Sequence, residues 1–170
     1  MASLSDLPGS ARVLLATFAA QLVSQGVHLP TDPYGNTVSY IAPGIGSLFA
    51  WDQPCLALTF DSATQGTPGS PNPANVNPWA LTFSATFNIV LLRLVSALND
   101  ATIIPDPAAM AADASLTMTD AVSLLRAAVT IKETPPAELT SLPMVIHQVM
   151  SVGPEGSIAG NVLQISTVLE

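Results

Sequence analysis

The sequence predicts an α+β protein: a mainly antiparallel sheet of about four to five strands with an N-terminal helix and a long central helix packed on it. Three observations lead there. Over Leu81 to Ile89, apolar residues at odd positions alternate with Thr82, Ser84, Thr86 and Asn88 at even ones, the two-residue period of a strand. Asp106-Pro107 opens an alanine-rich stretch with a capping carboxylate followed by proline, the signature of a helix start. Near the end of the chain, two apolar runs flank Gly153-Pro-Glu-Gly156, the layout of a hairpin.

At 170 residues the chain has the length of one domain with a continuous core. No charged or low-complexity linker divides it, so residues 1–170 are read as a single unit. Charged residues are 9% and hydrophobic ones 49%, a deficit of charge made up by Ala, Thr, Ser, Pro and Asn. So little charge leaves the surface poorly covered, and part of it is expected to be buried in an assembly. Twelve acidic residues against four basic ones give a net charge of −8, the wrong sign for holding nucleic acid through its phosphates. Arg12, Arg93, Arg126 and Lys132 are scattered along the chain, whereas an acidic surface can repel DNA that has to pass without sticking. Cys55 is the only cysteine, which excludes an intrachain disulfide and a cysteine-based metal cluster and is compatible with a reducing cytoplasm. The first residues lack the basic start of a secretory signal. The apolar run Val13 to Ala20 is interrupted by Gln21, Ser24 and Gln25, so a soluble protein without membrane association is expected.

Gly9 to Gln25 reads as a helix, because Ala11, Leu14, Leu15, Phe18 and Leu22 recur at three- and four-residue steps. Pro8 suits its first turn and Gly26 is placed to end it. Short extended pieces follow: His28 to Pro30, a turn at Asp32 to Gly35, and Val38 to Ile41. Gly44 and Gly46 form a Gly-x-Gly without a third glycine or a strand-to-helix setting, which marks a turn and not a nucleotide loop. Cys55 to Phe60 is a short apolar strand bounded by Pro54 and by Asp61-Ser62. In that setting Cys55 is a small buried hydrophobe.

Ser62 to Pro78 is a run of Gly, Pro, Asn, Thr and Ser without periodicity. Connections this long are uncommon in compact domains, and the segment is read as a loop or an arm that orders against a neighbour. It joins the Cys55 strand to the strand Trp79 to Val95, which makes the two antiparallel partners. The second of these is apolar on both faces past Ile89, so Val90 to Val95 is expected to be buried, and the Thr/Ser side of its first half is expected to meet a lumen or a neighbour. Arg93 is the lone charge in the buried half. A carboxylate or carbonyl partner is expected for it, since an unpaired buried charge is very costly. The Asp106-Pro107 helix runs to about Lys132, with Met110, Ala114, Met118, Ala121, Leu125 and Ala128 expected on its packed face and Asp113, Thr117 and Asp120 away from it. Met144 to Val152 and Ser157 to Leu169 complete the sheet.

The chain contains no zinc-protease, phosphate-loop, nucleophile-elbow or Cys-x-x-Cys motif. His147 in a strand is expected to be structural, and His28 belongs to a loop. No catalytic residue, metal site or cofactor is therefore expected, and the chain is read as a non-enzyme. The alternative from a different class is a small hydrolase in which acidic residues and His147 meet in a cleft.

The stretch Ala50 to Phe60, then Gln65-Gly-Thr-Pro-Gly69, then Leu81 to Arg93 resembles tail terminator proteins of long-tailed, siphovirus-type bacteriophages, especially those of actinobacteria. The Asp106-Pro107 helix and the Gly153 to Gly156 hairpin extend that likeness over nearly the whole chain. It departs from the pattern at Leu94, which follows Arg93 where such relatives are associated with a cysteine. The resemblance implies a virion subunit assembled in the host cytoplasm that forms a ring, typically a hexamer, at the head-proximal end of the tail tube. There it would end tube polymerisation and join the tail tube protein to the head–tail connector protein, with DNA passing non-specifically through the lumen. Gln65, Gly66, Thr67, Pro68, Gly69, Trp79 and Arg93 are the expected interface residues. Another head–tail connector or completion component, or a tail tube subunit, is the alternative within the same class.

Overall fold

The computed structural model describes residues 7–42, 53–65, 83–96, 106–139, 144–155 and 157–169. Helix α1 (Leu7–Ser24) leads through a turn to the short strand β1 (Ser39–Ala42), and β2 (Cys55–Gln65) and β3 (Phe83–Leu94) follow. The long helix α2 (Pro107–Glu133), a 3₁₀ turn at Ala137–Leu139, and the hairpin of β4 (Met144–Glu155) and β5 (Ile158–Leu169) complete the order. The five strands form one sheet in the order β1-β2-β3-β5-β4. Only β1 with β2 is parallel; β2 with β3, β3 with β5 and β5 with β4 are antiparallel. The fold is thus α+β, with two helices on a mainly antiparallel sheet, as the sequence predicts.

The predicted stripe of α1 is the buried one: Ala11, Leu14, Leu15, Phe18 and Leu22 all lie in the main core. Gly26 ends that helix at φ +80°. Its amide donates to the Val23 carbonyl at 3.0 Å and the Val27 amide to the Leu22 carbonyl at 3.0 Å. That is the paired C-terminal capping pattern in which glycine takes the left-handed residue at no steric cost. At α2 the Asp106 side chain accepts from the Ala108 amide at 3.1 Å with Pro107 in the first turn, the cap read from the sequence.

The sheet separates two apolar clusters. Leu56 and Leu58 of β2, Phe87, Ile89 and Leu91 of β3, and Leu163 and Ile165 of β5 face α1 and α2. On the other face Cys55, Ala57, Val90, Leu92, Ile158 and Val162 form a second cluster that contains no residue of either helix. Strand alternation places these sets on opposite sides. It also extends the second cluster into a polar half made of Thr59, Ser84, Asn88 and Ser166.

Four expectations are corrected. The end of β3 is not buried throughout: Val90, Leu91 and Leu92 are, but Leu94 is 60% exposed. Strand β2 does not stop at Asp61-Ser62: a bulge between Phe60 and Ser62 absorbs the break, and Ser62, Ala63, Thr64 and Gln65 continue pairing with β3. Ser62 to Gln65 is therefore strand and not arm; Gly66 to Pro78, like the Gly44–Gly46 turn, lies outside the described residues. Among the described residues, the Thr/Ser face of β3 is largely covered within the chain, with Ser84 and Asn88 buried and Thr86 half-buried. Thr59, Ser84, Asn88 and Ser166 are buried within the chain, and Thr64 with Ser84 (2.9 Å) and Thr86 with Ser166 (2.8 Å) satisfy one another. Finally, α2 packs through Asp120, Ser123, Leu124, Ala127, Ala128 and Ile131, while Met110, Met118 and Leu125 are exposed. Its packed face is rotated from the apolar stripe that the sequence suggests.

Candidate interaction surface

The face that α2 turns to the sheet carries a charge pair as well as apolar residues. Arg93 leaves β3 on the helix-facing side, where its Nε donates to Asp120 Oδ2 at 2.7 Å and its Nη2 to Asp120 Oδ1 at 2.9 Å. Its Nη1 donates to the carbonyl of His28. The aspartate is 2% and the arginine 14% exposed, so this two-pronged pair is largely out of water, where both charges need each other. Close by, Asn161 of β5 donates to the Thr117 carbonyl at 2.8 Å and accepts from Ser151 at 3.1 Å. Asp113 accepts from the Ser96 amide at 2.6 Å. The first half of α2 is thus held to the sheet by polar anchors, and its second half by Leu124, Ala127, Ala128 and Ile131.

That choice leaves an apolar stripe outside. Met118, Val122, Leu125 and Val129 follow helical spacing, and all are exposed, Met118 by 70%. They are joined by Met110 and Leu116 on α2 and by Val23 at the end of α1. Isolated exposed apolar residues are ordinary, but a row of them along several turns marks an interaction surface. The best stretch of α2 reaches a mean hydropathy of 1.2, enough by length and composition to cross a membrane. Here it instead lies on the sheet and holds the Asp120 ion pair.

Beside the stripe, α1 and α2 border an open groove of about 520 Å³. Gln21 and Ser24 come from α1 and Gln25 from the turn after it, and Leu125, Arg126 and Val129 come from α2. A second groove of about 420 Å³ lies between Arg12, Leu15 and Ala16 of α1 and Ser39, Tyr40 and Ile41 of β1.

The predicted interface residues fall into three groups. Gly66, Thr67, Pro68, Gly69 and Trp79 lie outside the described residues. Gln65 is the last residue of β2, paired with Phe83. Arg93 has its guanidinium committed within the chain and finds both a carboxylate and a carbonyl, the partners expected for it. The exposed face of α2 was missed, because two stripes of that helix are apolar or alanine-rich and hydrophobic periodicity alone does not choose between them.

The chemistry of a hydrolase would need a histidine, a nucleophile and an orienting acid together. His147 sits at the bulge in β4, and its Nε2 lies 2.7 Å from Ser166 Oγ. Ser166 is 4% exposed and shares its hydroxyl with Thr86, a link in a chain of hydroxyls and not a presented nucleophile. Among the described residues no carboxylate bonds His147, neither groove contains it, and no group of His, Cys, Asp and Glu could hold a metal ion. Cys55 is fully buried, and burial pushes its thiol pKa up even though contact with Tyr40 works the other way. No known protein family matches this chain, and no curated protein does.

Proposed function

We propose that this protein is a non-enzymatic structural subunit of a bacteriophage virion. In this reading it is a tail terminator that forms a ring, typically a hexamer, at the head-proximal end of the tail tube. The ring ends tube polymerisation and joins the tube to the head connector, and genome DNA passes through its lumen. The observation that carries the reading is the exposed apolar stripe of α2, Met118 to Val129, on a chain with only 9% charged residues. Such a stripe is stabilised when a neighbouring subunit covers it, at about 25 cal/mol for each Å² of apolar surface removed from water. The segment resemblance to tail terminators supplies the kind of assembly. The net charge of −8 suits a ring past which DNA slides without binding.

A head–tail connector component or a tail tube subunit would bury the same stripe, and the position of the protein in the particle separates these. Electron microscopy of virions labelled with an antibody to this chain is expected to place it as one ring at the head–tail junction. Label spread along the tube would make it a tube subunit, and absence from the virion would overturn the reading.

A further inference from the structure

The charge pattern of the surface is lopsided in a way that specifies an occupant for the α1–α2 groove. Of the four basic residues, Arg93 is taken by Asp120. The other three, Arg12, Arg126 and Lys132, are all exposed on the two helices. Among the described residues, Arg126 is the only charged one lining the groove, whose other walls are apolar (Leu125, Val129) or neutral (Gln21, Ser24). A fitting occupant therefore presents an apolar group with a single anion next to it.

The chain itself carries such a group. Tyr34 is 89% exposed at the tip of a turn that is ordered before any partner arrives. Asp32 Oδ1 accepts from the amides of Tyr34 (2.9 Å) and Asn36 (2.8 Å), and Oδ2 accepts from the Asn36 side chain at 3.0 Å. The Asp32 amide donates to the Asn36 carbonyl at 2.8 Å, Thr31 bridges Thr37, and Gly35 takes φ +85°. The hydrogen bonds from Asn36 also hold the Asp32 carboxyl below its ordinary pKa, so it stays anionic. A tyrosine on a pre-ordered turn loses little freedom on docking, and Tyr and Arg are the residues that most often dominate interfaces.

We propose that the Tyr34 turn of one copy of this chain seats in the α1–α2 groove of a second copy, with the Tyr34 ring against Leu125 and Val129 and the Asp32 carboxylate facing Arg126. This rests on the ring reading and gives it a contact. Turn and groove are different patches, so every copy offers one of each, and repetition builds a closed ring or a filament. The guanidinium of Arg126 can also lie over the tyrosine ring.

The test uses two separately prepared variants, Pro33→Cys beside the intact Tyr34 and Ser24→Cys on the groove wall, both at exposed positions, mixed and oxidised; the native Cys55 is fully buried and does not compete. A disulfide-linked heterodimer is expected from the mixture. A Pro33→Cys sample that links only to itself would overturn the arrangement. Tyr34→Ala and Arg126→Glu, each checked for an unchanged melting temperature, are expected to weaken self-association by at least about tenfold. If the unmodified chain assembles but no heterodimer forms and both variants assemble normally, the contact is wrong and the ring reading stands. If the unmodified chain stays monomeric at every concentration, both fail.

Discussion

Arg93 and Asp120 hold each other across the boundary between the central strand and the long helix, through two hydrogen bonds of 2.7 and 2.9 Å. This pair lies on the side of α2 that meets the sheet, together with Leu124, Ala127, Ala128 and Ile131. An aspartate 2% exposed is tolerated only with its counter-charge, and the helix turns Asp120 inward and leaves Met118 and Val122 outside. The exposed apolar stripe of α2 thus lies opposite an internal ion pair.

Removing one member of the pair is expected to be far worse than replacing both. Asp120→Ala leaves a guanidinium largely buried without its carboxylate, and a loss of about 3 kcal/mol in urea unfolding is expected. The double variant Arg93→Met with Asp120→Leu is expected to recover most of it. Additive losses in the double variant would show that the two side chains are not coupled.

Gly160 in β5 lies against the backbone of Leu91 and Leu92 so closely that a Cβ would overlap the Leu91 carbonyl oxygen. The neighbour is backbone and has nowhere to move. Gly160→Ala is expected to destabilise the fold by about 1–3 kcal/mol, read as a lower melting temperature, while Gly26→Asn, at an open helix end, is expected to be tolerated with little change.

Cys55 is expected to resist thiol reagents in the native protein. It is fully buried and burial raises its pKa, so both access and thiolate are lacking. Labelling with a chromogenic disulfide should proceed only at the rate of unfolding and become fast in denaturant. Fast native labelling would mean that the second face of the sheet is open.

The Asp32 turn gives a pH signature. The folded carboxyl sits below its ordinary value, chiefly through the Asn36 side-chain hydrogen bond. Its contribution is complete above the ordinary carboxylate pKa and is lost as pH falls through the lowered folded value. Nuclear magnetic resonance titration should show the Asn36 side-chain amide unchanged through the ordinary carboxylate range and released only in stronger acid. Release at the ordinary carboxylate value would show that these hydrogen bonds do not hold the turn in solution.

Much of the fold was legible because local signals agreed with tertiary ones. The α1 stripe from Ala11 to Leu22, the Asp106 cap and the alternation of β3 each carry their own instruction. Arg93 announced a partner because a lone charge in an apolar strand demands one. Three features were not legible. A bulge lets β2 continue past Asp61, which reads locally as a stop. The pairing of β1 with β2 in parallel joins four residues to a strand by non-local contacts. The carboxylate that α2 buries is matched by Arg93, 27 residues away in the chain, and no window along the helix contains it.

In the proposed assembly the α2 stripe is covered by another copy of this chain. Light-scattering mass across a dilution series, on the unmodified protein and on Val122→Glu, tests it most directly. Val122 is exposed, so the substitution is expected to leave the fold within about 0.5 kcal/mol of the original. The unmodified chain is expected to show a multi-copy mass that falls on dilution, and Val122→Glu is expected to remain at the 17.5 kDa of one chain. A mass of 17.5 kDa for the unmodified chain at the highest concentration, or an assembly that Val122→Glu leaves intact, would contradict the account.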